Sequence, residues 1–281
     1  MKSSKKKTKL YRKTLGIIFL VYGLMIGSLI GFTFGLPNSS LKTSSNSILI
    51  YTENAKTDFE LKYTKEAINN SFGECTYEDL ADYTNLSTKL SGHNILLIPE
   101  QQFGNPDLMN DIGLNWSTLL TTFVNDGGVV ILCDYTGFSY LILNSSDLLA
   151  LDEVDDTDIA GNSIEVVATN DPLAEDVYPT FTAPASTMCF NSSEGTSVVE
   201  CNSSSVVIHK TMGKGHVVLL GFDFFEYNSD TSKIIGNAVA LGIKPSSGGI
   251  PGYNLYIFIS ISFVMVGITL LIVKKKLLYK S

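Results

Sequence analysis

The chain has 281 residues, 20 Lys and Arg against 28 Asp and Glu, and a formal net charge of −8. That length allows one or two domains. The acidic balance excludes a phosphate-binding nucleic-acid surface, which needs clustered basic charge, so no nucleic-acid partner is expected.

In chain order, residues 1–14 are a basic tail carrying Lys2, Lys5, Lys6, Lys7, Lys9, Arg12 and Lys13. Residues 15–36 are 22 in number and hold no charge, enough to cross a hydrocarbon core of about 30 Å as a helix. The exit "GFTFGLPNSS" offers no small-residue cleavage site, so a retained signal-anchor is expected. Gly23, Gly27, Gly31 and Gly35 recur every fourth residue, on one helix face, where a second membrane helix can approach closely.

The next elements alternate in type. "SILIYTE" (47–53) reads as a strand buried on both faces, and 58–72 as a helix with Leu61, Ile68 and Phe72 on its packing stripe and Gly73 as its stop. "ECTYED" is a weaker edge strand and "NILLIPE" (94–100) another buried one. Over 107–125, Leu108, Ile112, Trp116, Leu119, Leu120 and Phe123 recur at helical spacing, Asp126-Gly127-Gly128 ends the helix, and "VVILCDY" follows as a strand. A short helix is expected at 138–149. Strands alternating with helices in this way predict right-handed crossovers and a parallel sheet.

Beyond Asp152 the pattern changes. "LDEVDDTD" (151–158) lacks the calcium-loop spacing and reads as a solvated acidic loop. "SIEVVATN" (163–170) is a strand, a Pro-punctuated loop follows, and "TSVVEC", "SSVVIHKT" and "GHVVLLGFDF" predict an antiparallel meander. A helix over 231–241 closes a domain spanning 46–243. Residues 244–252 form a Gly/Ser/Pro linker, 253–273 a second uncharged span of 21 residues, and 274–281 a basic tail with Lys274, Lys275, Lys276 and Lys280. The expected fold class is α/β: a flavodoxin-like parallel sheet with helices on both faces and an antiparallel extension in the C-terminal half, flanked by two transmembrane helices.

Short basic flanks stay in the cytoplasm. Both termini are therefore expected inside a cell membrane and the domain outside, as a two-pass protein. The stretch between the spans holds nine basic and all 28 acidic residues, a net charge of −19. Sequons at Asn38, Asn69, Asn85, Asn115, Asn144, Asn191 and Asn202 all lie there and are glycosylation candidates. Cys189 and Cys201, twelve apart, suit a strand-loop-strand disulfide in an oxidising compartment. Cys75 and Cys133 are expected as thiols.

"NILLIPEQ", the helix running into "NDGGVVILCDYTG", "TNDPLAEDV" and "GKGHVVLLGFDFFEYNSDTSKIIGNAV" together resemble the class I glutamine-amidotransferase-like fold in its non-catalytic, membrane-anchored form. Such domains occur in auxiliary proteins of gliding-type ABC transporters and in an accessory subunit of oligosaccharyltransferase. The resemblance implies a binding or scaffold module, accessory to a transporter or glycosylation complex, with another membrane protein or subunit as partner. Catalytic members carry G-x-C-x-G and a His two residues before a Glu. Here Ile131 and Tyr135 replace the glycines around Cys133, and Phe224 precedes Glu226 by two, so no catalytic residue is assigned.

Three further features bear on chemistry. His209 and His216 flank "KTMGKG" on an expected hairpin, so the pair could face across it, but with no third zinc ligand in sight they read as exposed hairpin histidines; His93 sits in a turn before a strand. "GKG" is a hairpin turn. Glu53, Glu100, Asp134 and Asp223 each stand at the carboxyl end of a predicted inner strand, the edge where open α/β sheets hold ligands. If those strands adjoin, the carboxylates converge near Tyr135 and Phe138 into a crevice suited to a hard cation such as Ca²⁺. No other cofactor is expected. The alternative to a scaffold is an extracytoplasmic metal-dependent hydrolase using that cluster, against the bland reading that each carboxylate caps its own helix.

Overall fold

A computed structural model describes residues 47–135, 138–151, 153–155 and 157–243. The two expected spans, the basic tails, the linker, Asn38 and the glycine register Gly23, Gly27, Gly31 and Gly35 lie outside the described residues. Among those described, no helix is long and apolar enough to cross a membrane.

The strands are β1 (Ser47–Tyr51), β2 (Thr76–Leu80), β3 (Ile95–Ile98), β4 (Val129–Cys133), β5 (Glu153–Asp155), β6 (Ser163–Val166), β7 (Thr180–Thr182), β8 (Cys189–Asn191), β9 (Thr196–Cys201), β10 (Ser204–Met212) and β11 (Gly215–Leu220). The helices are α1 (Glu60–Ser71), α2 (Leu86–Lys89), α3 (Pro106–Asn125), α4 (Tyr140–Ser145) and α5 (Ser229–Gly242). One mixed sheet runs β2-β1-β3-β4-β11-β10-β9-β6-β7, with β8 on β10 and β5 on β8. The pairs from β2 to β11 are parallel, and those from β11 outward are antiparallel.

Strand character follows from the sequence. All five residues of β4 are buried, as a strand covered on both faces requires. Each such Val, Ile or Leu contributes roughly 1.5–3 kcal/mol of burial. Leu61, Ala67 and Ile68 of α1 and Ile234, Ile235, Ala238 and Val239 of α5 cover one face. Met109, Ile112, Trp116, Leu120 and Val124 of α3, with Ile142 and Leu143 of α4, cover the other. Asn105 caps α3 by accepting from Leu108 N at 3.0 Å, ahead of Pro106 at the first helical position, where its missing N–H costs nothing. Gly127, at φ 107°, stops that helix in a backbone conformation closed to most residues.

Two expectations are corrected here. The acidic stretch 151–158 is not wholly a loop, because Glu153–Asp155 pairs with β8. The Cys189–Cys201 link is not formed, and both are buried free thiols. Strands β8 and β9 do not adjoin: Ser205 of β10 pairs with Phe190 on one side and Glu200 on the other. Two strand spacings, about 9–10 Å, exceed the Cα reach of a disulfide near 7 Å. Burial, with Cys201 nearby, raises the Cys189 thiol to about 12. Cys75 precedes β2, so β1 and β3 separate it from Cys133.

Candidate functional site: a buried carboxylate cluster at the sheet's carboxyl edge

Strands β1, β3, β4 and β11 deliver their carboxyl ends to one edge. There Glu60, Glu100 and Asp223 converge, with one ligand oxygen from each within 4.8 Å of the others. They are 2, 2 and 5 % exposed, and Asp134 beside them is 0 % exposed. Glu60 opens α1, Glu100 follows β3, Asp134 follows β4 and Asp223 follows β11.

The hydrogen bonds satisfy this charge only in part. Asp134 Oδ2 accepts from Tyr140 N at 2.9 Å and Asp223 Oδ1 from Phe225 N at 2.8 Å. Glu60 Oε1 meets Lys56 Nζ at 3.4 Å. Glu60 Oε2 and Asp134 Oδ1 are buried with no hydrogen-bond partner. Loss of water, and then the neighbouring charge of Glu100, push the Asp134 and Asp223 carboxyls up to about 7 despite the backbone N–H groups that oppose the shift. Burial and Glu100 raise Glu60 as well, with Lys56 pulling the other way. Crowded buried carboxylates cannot all ionise unless a proton or a cation balances them.

The geometry suits a cation. Two oxygens bound to one Ca²⁺ at about 2.4 Å stand at most about 4.8 Å apart. The loops carrying the acids are also held in unusual conformations. Phe138 and Phe224 have φ of 57° and 59°, and bulky residues there cost about 1–3 kcal/mol each and cluster at ligand sites. Phe59, Phe103, Phe138 and Phe225 are exposed on the loops leaving the same four strand ends. Lys56 Nζ sits 5.7 Å from the Phe225 ring centroid.

Of the four expected carboxylates, Glu100 and Asp223 meet oxygen to oxygen within 4.8 Å, and Asp134 lies near enough to Glu100 to feel its charge. Glu53 does not join them: it is exposed and turns toward β2, accepting from Tyr83 N at 2.8 Å and Tyr51 Oη at 3.3 Å. Glu60, which sequence reading missed, takes its place, because the chain after β1 runs on to α1 before turning inward. Gln101 was also missed. It is fully buried, donates to Tyr51 O and Pro99 O, and accepts from Asn54 N at 3.2 Å, tying the loops after β1 and β3 together. Its only sequence signal was its place after Glu100.

Cys133 lies under this cluster, fully buried. Burial first, then Asp223, Asp134 and Glu100, raise its thiol well above the ordinary range. A thiol so placed is a poor nucleophile. Of the sequon residues described, Asn69, Asn85, Asn115, Asn144 and Asn202 are exposed, and Asn191 is partly buried on β8. His93 sits before β3 with Nδ1 3.0 Å from Lys89 O. His209 is not exposed as expected: it is 6 % accessible and bonded at both ring nitrogens.

No family model and no curated protein matches the chain. Among solved structures, the mmIFT52 N-terminal domain aligns with a TM-score of 0.50 at 14% identity, over 73% of this chain and 99% of that one. The likeness is one of fold. A ThuA-like protein from Bacteroides uniformis aligns at 0.48 and 12% identity over 76% of this chain and 98% of that one. A beta-galactosidase from Bacillus circulans sp. alkalophilus aligns at 0.48 and 11% identity over 72% of this chain but only 32% of its own length.

Proposed function

We propose that the chain is a membrane-anchored, extracytoplasmic binding module of the glutamine-amidotransferase-like kind, an accessory subunit of a membrane complex such as a transporter or the glycosylation machinery. Its binding face is the carboxyl edge of the sheet, where a divalent cation sits among Glu60, Glu100 and Asp223, with Asp134 beside it and exposed phenylalanines at the rim. One observation carries this reading: three buried carboxylates with an oxygen each within 4.8 Å of one another, where one oxygen of Glu60 and one of the neighbouring Asp134 are buried with no hydrogen-bond partner. Oxygen-only donor sets favour Ca²⁺ or Mg²⁺ over softer metals. Strand β1 starts at the opposite, amino edge, and Gly242 at the end of α5 lies against Ile95 at the start of β3.

The test is thermal unfolding of the full chain in detergent with and without millimolar Ca²⁺ or Mg²⁺. A ligand at 100 times its Kd adds about 2.7 kcal/mol of stability, and Asp223→Asn or Glu100→Gln should abolish that gain. No stabilisation of the wild type by either ion would sink the cation site. A hydrolase remains the second reading, favoured by Asp134, whose carboxyl at about 7 could take a proton from an ion-bound water near neutral pH.

A further inference from the structure

At the other end of the sheet the amino edge carries a second constellation, independent of the carboxylate cluster. Asp171 precedes a 3-10 turn at Pro172–Ala174, His209 lies on β10 and His216 on β11. Asp171 Oδ2 is 2.8 Å from His209 Nδ1, and His209 Nε2 is 2.9 Å from His216 Nδ1. Both imidazoles open onto a groove of about 930 Å³. Among the described residues, the titratable groups lining it are Asp171, Glu194, His209, Lys210 and His216. Lys214, in the turn between the strands, is exposed outside that lining.

The hydrogen bonds fix where the protons sit. The carboxylate accepts, so His209 Nδ1 carries a hydrogen. Neutral His209 then offers a lone pair at Nε2, His216 Nδ1–H donates to it, and His216 Nε2 is left as an uncommitted acceptor. Adding one proton reverses that atom. Whichever imidazole holds the charge, His216 Nε2 becomes an N–H donor. A second proton would set N–H against N–H across 2.9 Å, so the chain takes one only. Lys210 pairs with Glu194, and Asp171 adds one negative charge. The groove is therefore net −1 when the relay is neutral and net zero once it is protonated.

We propose that the groove is a binding site for a primary ammonium group, which donates an N–H to His216 Nε2 and is released when the Asp171–His209–His216 relay takes up a proton. Protonation acts twice in the same direction, removing the acceptor and cancelling the negative charge. Burial, and then the neighbouring His209, lower the His216 pKa, with Asp171 pulling the other way. Burial would raise Asp171, but the hydrogen bonds from His209 and Leu173 N outweigh it and hold the carboxylate ionised.

The chain has only three histidines, so histidine labelled at Cε1 in the full chain gives three resolvable signals, with His93 as the internal control. Ethanolamine should shift the His216 signal saturably at about pH 8 and bind at least about tenfold more weakly at about pH 5. By reciprocity, saturating ethanolamine should move the relay's single titration to lower pH. Tetramethylammonium, a cation with no N–H, should leave His216 unmoved. His216→Gln should leave the His209 signal unmoved by ethanolamine while the His93 signal stays in place. No saturable shift at about pH 8, an equal response at both pH values, an equal response to tetramethylammonium, or uptake of two protons by the pair near neutrality would each overturn the proposal.

Discussion

Asp134 and Asp223 link a local geometry to a pH dependence. Their folded carboxyls titrate at about 7, against about 3.9 in the unfolded chain. Between those values the folded state binds more protons. Its stability is therefore fully present below about pH 4 and is lost as pH rises through about 7. The metal-free chain should lose roughly 5 kcal/mol between about pH 5 and pH 8 in denaturant titrations. Asp134→Asn should flatten part of that slope and be the more stable protein at about pH 8, since the amide oxygen can still accept from Tyr140 N. Saturating Ca²⁺ should reverse the slope, because the ion replaces the proton. A wild type that grows more stable toward alkaline pH without added metal would contradict the burial of these charges.

At the scale of elements, β10 decides the fate of the cysteines. It is nine residues long, carries β9 on one side, and holds β8 and β11 on the other. Cys189 and Cys201 face the same core from strands that β10 keeps apart. Denaturing the chain without reductant and alkylating it should label all four cysteines. A Cys189–Cys201 link in peptide mapping would refute the register around Ser205, and a Cys75–Cys133 link would refute the order β2-β1-β3-β4. Spacing in sequence suggested the staple, since twelve residues comfortably span a strand, a turn and a strand. It could not reveal that a third strand, later in the chain, inserts between the two.

For the molecule as a whole, the two ends of the described chain leave from the sheet's amino edge, because parallel strands start there and α5 runs back to it. Under the proposed two-pass topology, a cysteine-labelling scan using a membrane-impermeant reagent should modify exposed positions of the domain from outside and neither terminus. Labelling of either tail from outside would invert the proposed topology.

Local pattern was enough for the long elements. The buried runs of β1, β3 and β4 and the apolar stripe of α3 announce themselves, because each must hide one face or both within a single stretch of chain. The acidic residues at strand ends were equally visible, as was the lack of glycines around Cys133. Short strands such as β5, β7 and β8, three residues each, carry no period to read and exist only because a partner strand supplies their hydrogen bonds. Which carboxylates meet was likewise settled by tertiary structure. Glu53 and Glu60 lie seven residues apart in the same connection, and only the direction in which that connection turns buries one and exposes the other. The histidine relay shows the same limit. The hairpin allowed His209 and His216 to face each other, but the part of Asp171, 38 positions upstream of His209, came only with the fold, since hydrogen-bonded chains of side chains are assembled across distances no local pattern encodes.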